Sequence, residues 1–271
     1  MDEIIKYLQE FFKNLGHPGL ASYIPLIVFI VAGIPLLYKG GRWLHNFWQQ
    51  GKLKKDLHPF YTPREVHEAT RYYVPTKYQN VAPSTEYKQR QTVALVATEK
   101  LIPLFLNKAF KTDGDDYRFY IVFADSGMGK TTFLLNLYLS YSRRIFRKKY
   151  KIRLFPLGHP NTHAKIAQIP DSESYNTILL LDAFDEDSKA VHNYKARLAE
   201  LIRDVQDFRK VVITCRTQFF PSEKDEPRET GILKCGGQKG FHAFHKFYIS
   251  PFDDNDIELY LKKFTYTNCF C

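Results

Sequence analysis

The chain has 271 residues, 44% hydrophobic and 25% charged. That composition excludes a mostly disordered, collagen-like or low-complexity polypeptide, and the length allows one large domain or two small ones at about 150 residues each. Thirty-nine Lys and Arg against 29 Asp and Glu leave a net charge of +10, a surplus that suits anionic partners such as nucleotides, nucleic acid or acidic lipid without choosing among them.

Residues 1–18 open the chain with acidic Asp2, Glu3 and Glu10 instead of a basic leader. Between Lys13 and Lys39 there is no Asp, Glu, Lys or Arg, and LASYIPLIVFIVAGIPLLY (Leu20 to Tyr38) is almost wholly apolar. This reaches the roughly 20 residues that cross a bilayer as a helix. Residues 19–38 are therefore expected as a transmembrane helix, with Pro25, Gly33 and Pro35 tolerated inside it and Tyr38, Trp43 and Trp48 as an interfacial belt. The acidic start and the length of the run argue against a cleaved signal peptide. Lys39, Arg42, Lys52, Lys54 and Lys55 follow the run, against Lys6 and Lys13 before it. The positive-inside rule then places residues 1–18 outside and the main body in the cytoplasm, as a single-pass membrane protein in contact with a lipid bilayer.

Residues 39–116 read as a juxtamembrane linker cut by Pro59, Pro63, Pro75 and Pro83, followed by a helix over Thr92 to Phe110 kinked at Pro103. From Arg118 onward short apolar runs alternate with helical patterns, the signature of βα units. Five strands are expected: Phe119–Phe123, Arg153–Leu157, Ile178–Leu181, Val211–Thr214 and Phe247–Ile249, with helices over Lys130–Phe146 and Tyr194–Phe208. The expected fold is α/β, a mostly parallel five-stranded sheet flanked by helices and preceded by one transmembrane helix. Residues 117–250 are expected to form its α/β domain, and 251–271 a further, helical segment. The four cysteines, Cys215, Cys235, Cys269 and Cys271, form no C-x-x-C pair and read as ordinary thiols in a reducing compartment.

The first strand runs into Ala124, Asp125, Ser126, Gly127, Met128, Gly129, Lys130, Thr131 and Thr132, then into a helix. This is the phosphate-binding loop G-x-x-x-x-G-K-[ST] with Ala124 in place of the first glycine. Backbone N–H groups from Asp125 to Lys130 can wrap a β-phosphate at the helix N-terminus, Lys130 can reach the β- and γ-phosphates, and the Thr131 hydroxyl can bind Mg²⁺. The run Thr177 to Leu181 ends in Asp182, the carboxylate-tipped strand that holds Mg²⁺ in P-loop NTPases. Asp185 and Glu186 follow as candidates to accept a proton from the attacking water. Lys210 to Cys215 form a further apolar strand ending in Arg216, whose guanidinium suits sensing or stabilising a γ-phosphate.

These strings resemble the NACHT group of STAND nucleotide-binding proteins, a branch of P-loop NTPases related to AAA+ ATPases. The resemblance spans about Tyr117 to Phe264. It rests on Gly127 to Thr132, on Leu179-Leu180-Leu181-Asp182-Ala183-Phe184-Asp185-Glu186, on Ile213 to Arg216, and on Tyr248 to Ile257 as the entry to a helical lid. It implies a switch that holds ADP when closed, exchanges it for ATP with Mg²⁺, hydrolyses ATP slowly and forms a homo-oligomer on activation, in many relatives for immune or antiphage defence. The chain stops within seven residues of Phe264, so the contacts that close such switches are not assigned.

Two other readings compete. An AAA+-like motor would turn over continuously. A nucleic-acid module would use the basic run Arg143, Arg144, Arg147, Lys148, Lys149, Lys151 and Arg153, but no recognition motif accompanies that charge, and a solvated helix end explains it as well. The loop around Val74 and Pro75 is expected near the base.

Overall fold

The computed structural model of the chain describes residues 56–79, 99–114, 117–144, 149–220, 232–237 and 240–268. The chain divides into two units, Met1–Leu53 and Lys54–Cys271, and the first lies wholly outside the described residues. The centre of the second is a set of parallel strands: β2 (Phe119–Ala124), β3 (Lys151–Pro156), β4 (Thr177–Asp182), β5 (Lys210–Arg216) and β7 (Gly240–Ile249). Every residue of β2 and β4 is buried, as continuous apolar runs must be when helices cover both faces of a parallel sheet.

The spatial order is β7–β2–β5–β4–β3, so β5 lies between β2 and β4. Two further strands, β1 (Tyr78–Gln79) and β6 (Ile232–Gly237), pair antiparallel with the outer edge of β7. The sheet is therefore seven-stranded and mixed, a correction to the five-stranded, mostly parallel expectation. β1 is two residues long and is recruited by backbone pairing at an edge, which leaves no alternation of side chains to read.

Period-two alternation assigns the two faces. Phe119, Ile121 and Phe123 share one core cluster with Leu179, Leu181, Val211 and Ile213, covered by Leu198, Leu201, Ile202 and Val205 of α6 (Ser188–Val205). On the other face Tyr120 meets Phe105, which also touches Phe133 of α3 (Lys130–Ser142). Asn193 breaks helical geometry inside α6 at φ −152°, and its side chain accepts from the Ala196 N–H at 3.1 Å, restarting the helix.

The expected helix over Thr92–Phe110 is described from residue 99, as α2 (Leu101–Leu104) running into a π-turn at Phe105–Ala109. Residues 56–79 and 99–114, placed by the sequence in a linker and helix, belong to the same compact unit as the sheet. The first of these segments carries α1 (Pro63–Arg71), which starts on a capping box between Thr62 and Glu65 with Pro63 in its first turn. Leu57 and Tyr61 are buried, Phe60 packs edge-on against Phe155 at 5.4 Å, and Asn136 of α3 donates to the Ala69 carbonyl at 2.9 Å. Two short helices, α4 (Thr162–Ala167) and α5 (Asp171–Ser174), connect β3 to β4, and α7 (Asp254–Asn268) follows β7.

Among the described residues no helix is long and apolar enough to cross a membrane, and the expected span, 19–38, lies outside them. This corrects both the transmembrane helix in the expected fold class and the expected single-pass membrane location. The longest described helix, α6, carries exposed Lys189, Lys195, Arg203 and Asp204 opposite buried Leu198, Leu201, Ile202 and Val205, a pattern that suits one buried face and one wet face.

Candidate functional site

β2 delivers Ala124 to the C-terminal edge of the sheet, in register with Arg216 on β5. The chain turns through Asp125, Ser126, Gly127 and Met128, and the Met128 N–H donates to the Asp125 carbonyl at 3.3 Å. Gly127 and Gly129 both take left-handed φ, +80° and +83°. A Cβ on Gly127 would meet nothing within 4 Å, so backbone conformation, not space, calls for glycine there. Gly129 stands at the N-terminal cap of α3. Lys130, Thr131 and Thr132 therefore form the first turn, where unpaired N–H groups and the positive end of the dipole favour an anion.

Asp182 closes β4 and is 3% exposed. Burial raises its carboxyl above the usual range, and hydrogen bonds from Thr131, Thr214 and Tyr61, with the charge of Lys130, oppose that rise. Thr214 donates to Asp182 Oδ1 at 2.8 Å and accepts from the Ala183 N–H at 2.9 Å. The Tyr61 hydroxyl donates to Asp182 Oδ2 at 3.3 Å, and burial raises the Tyr61 pKa far enough that it stays a donor. Thr131 and Asp182, from elements far apart in sequence, thus meet as two oxygen donors. A hard cation such as Mg²⁺ takes such a pair and completes its shell with phosphate and water.

Ala183 adopts φ +59°, the conformation a small residue reaches at least cost. The chain then enters a 3-10 turn, Phe184–Glu186, that separates the two candidate bases. Asp185 is buried, accepts from the Arg216 N–H at 3.0 Å and pairs with Arg216 Nε at 2.7 Å. Glu186 is exposed, and Gly158 lies against it so closely that a Cβ there would stand 3.2 Å from both the Glu186 Cβ and its carbonyl oxygen. Asp185 is thereby committed to Arg216, while Glu186 presents a carboxylate to solvent.

A cleft of about 560 Å³ opens beside the loop, lined by Gly127 to Gly129, by Tyr72 and Val74 from the segment after α1, by Ser250 and Phe252 on the entry to α7, and by Tyr260 within that helix. Lys77 holds that entry, pairing with Asp253 at 2.5 Å and Asp256 at 2.9 Å. The sequence carries no local signal for Tyr61 or for Thr214 as a donor to the Asp182 carboxylate. Tyr61 lies 121 residues from Asp182, and no local pattern marks it. In the basic run, Arg144 donates to the Leu106 carbonyl, Lys151 pairs with Glu173, and Arg153 pairs with Asp56 and Glu173; residues 145–148 lie outside the described residues.

No protein-family model and no curated protein sequence matches the chain. Among solved structures, Saccharomyces cerevisiae RIF2 is similar at 11% identity over 68% of this chain and 69% of that one, with a TM-score of 0.35; a likeness of that size carries no argument about fold or function.

Proposed function

We propose that the chain is a P-loop nucleotide-binding switch of the NACHT type that takes ATP or ADP with Mg²⁺ and hydrolyses ATP slowly. The observation that carries this reading is the meeting of Thr131 with the buried Asp182 carboxylate, at the mouth of a loop whose two left-handed glycines precede a helix N-terminus. In this reading the loop amides and Lys130 bind the phosphates, and Thr131 and Asp182 hold the cation. Magnesium, when bound, neutralises charge on the β- and γ-phosphates. Glu186 orients and deprotonates the attacking water, and Asp185 positions Arg216 until a γ-phosphate offers the guanidinium a second anionic partner. ATP-dependent homo-oligomerisation and a defence role follow from the resemblance and belong to the same proposal.

The test is a time course of MgATP hydrolysis by the purified chain beside Lys130→Ala. One turnover or less, lost in the variant, supports the switch. Sustained Lys130-dependent turnover assigns a motor instead, and no Lys130-dependent binding or turnover overturns the phosphate-loop assignment.

A further inference from the structure

Asp187 and Arg197 form a buried ion pair, 3% and 2% exposed, that no step of nucleotide binding or hydrolysis uses. Asp187 directly follows Glu186, and its carboxylate has several partners. Oδ2 takes Arg197 Nε at 2.7 Å, Oδ1 accepts the Lys189 N–H at 2.9 Å and so caps α6, and the His163 ring of α4 stands 3.6 Å from Oδ2. Arg197 touches that ring as well. Burial first, then Arg197, holds the His163 pKa below its usual value, so the ring is neutral and accepts from the guanidinium. One carboxylate therefore ties together the 3-10 turn, both halves of α6 across the break at Asn193, and α4.

A buried ion pair is a poor source of stability, because desolvation of the two charges offsets most of their attraction and an apolar pair of similar volume holds as well. What it supplies is one fixed geometry, and here that geometry bears on Glu186. The Glu186 N–H donates to the Ala183 carbonyl at 3.0 Å, and the Asp187 N–H to the Phe184 carbonyl at 3.2 Å. Two backbone bonds are little restraint for a three-residue turn. Gly158 closes one side, where a Cβ would already stand 3.2 Å from the Glu186 Cβ and carbonyl oxygen. On the chain's other side of Glu186 the restraint is the Asp187–Arg197 pair.

We infer that the Asp187–Arg197 pair positions the hydrolytic water through Glu186, by holding the turn so that the Glu186 carboxylate keeps one place relative to the phosphate loop. The inference rests on the nucleotide-binding reading above. Asp187 and Arg197 are positioning residues, since both are buried and only Glu186 reaches solvent.

Asp187→Asn on the full chain keeps the size and the helix cap and loses the charge. Single-turnover hydrolysis of MgATP slows about tenfold to a hundredfold, the penalty for a catalytic group displaced by about 1 Å, while ADP affinity stays within about twofold. In a Glu186→Gln background the same substitution slows nothing further, because no base is left to position. Without nucleotide, amide hydrogen exchange over 184–187 quickens about tenfold while that of β2 is unchanged. Asp187→Asn combined with Arg197→Met leaves no unpaired charge buried, so it recovers stability lost in Arg197→Met alone but not the hydrolysis rate.

Wild-type hydrolysis by Asp187→Asn or by the double variant overturns the inference. So does a loss of hydrolysis and ADP affinity together, the mark of a merely structural role. A wild type that binds ADP through Lys130 but hydrolyses nothing also overturns it and leaves the nucleotide reading standing. If the wild type shows no Lys130-dependent binding, the phosphate-loop reading itself fails and the positioning role with it.

Discussion

Replacing Tyr61 by Phe deletes one oxygen and leaves the ring in place, so its effect isolates the hydrogen bond to Asp182. The donor is neutral and the acceptor a buried carboxylate, a class worth about 1.5–3 kcal/mol. At 3.3 Å the bond is longer than a typical O–H···O contact, which places it at the low end, about 1.5 kcal/mol. For a unit of this size that is a fall in Tm of about 3–6 °C. The sign of the pH dependence follows from Asp182, whose folded pKa is raised by burial. Between the unfolded and folded pKa values the folded state binds more protons, so stability falls as pH rises through that window. Removing the Tyr61 donor raises the folded pKa further and deepens that fall. Urea unfolding across a series of pH values from acid to pH 8 therefore gives a deficit for Tyr61→Phe that grows as pH rises through the titration of Asp182. A deficit that is the same from the acid end to pH 8, or absent at pH 8, would refute the assignment of Tyr61 as a donor to an ionised Asp182.

Three further outcomes follow from other residues. Arg197 is buried and paired with Asp187 at 2.7 Å and Glu200 at 2.8 Å; Arg197→Met leaves Asp187 uncompensated and costs about 3–5 kcal/mol in urea unfolding, against under 1 kcal/mol if the pair contributes nothing. Ala183→Val forces a β-branched side chain into left-handed φ and loses about 2 kcal/mol, whereas Ala183→Gly stays within about 0.5 kcal/mol of wild type because relief of strain offsets the lost methyl burial. Lys210 is buried, donates to the Thr112 and Tyr117 carbonyls, and has its pKa lowered to about 8, by burial first and then by Arg209 and Arg118. The unfolded state holds that proton to higher pH, so wild-type stability gains from this group as pH rises from 8 toward 10, and Lys210→Met removes that gain in unfolding curves across the same interval.

The glycine turn before α3, the strand tipped by Asp182 and the cores of the five parallel strands were legible because each is a local pattern: glycines at fixed spacing, an apolar run tipped by a charge, strands short enough to be buried; of β7 only its last three residues, 247–249, stood out. The same locality explains what the sequence determined by itself. Gly127 and Gly129 permit a left-handed backbone, and Phe119 to Phe123 is short and apolar enough to be a strand covered on both faces.

Tertiary structure alone decided which groups meet. Tyr61 reaches Asp182 because α1 docks on α3 through Asn136, a contact between residues 67 apart. Asp185 and Glu186 are adjacent and chemically alike, yet the left-handed turn at Ala183 buries one against Arg216 and exposes the other. β1 and β6 carry too little pattern to announce themselves and exist because β7 offers them an unpaired edge. Side-chain periodicity records burial along one element; hydrogen bonds between distant elements depend on how those elements pack, and that information is not stored at any one place in the chain.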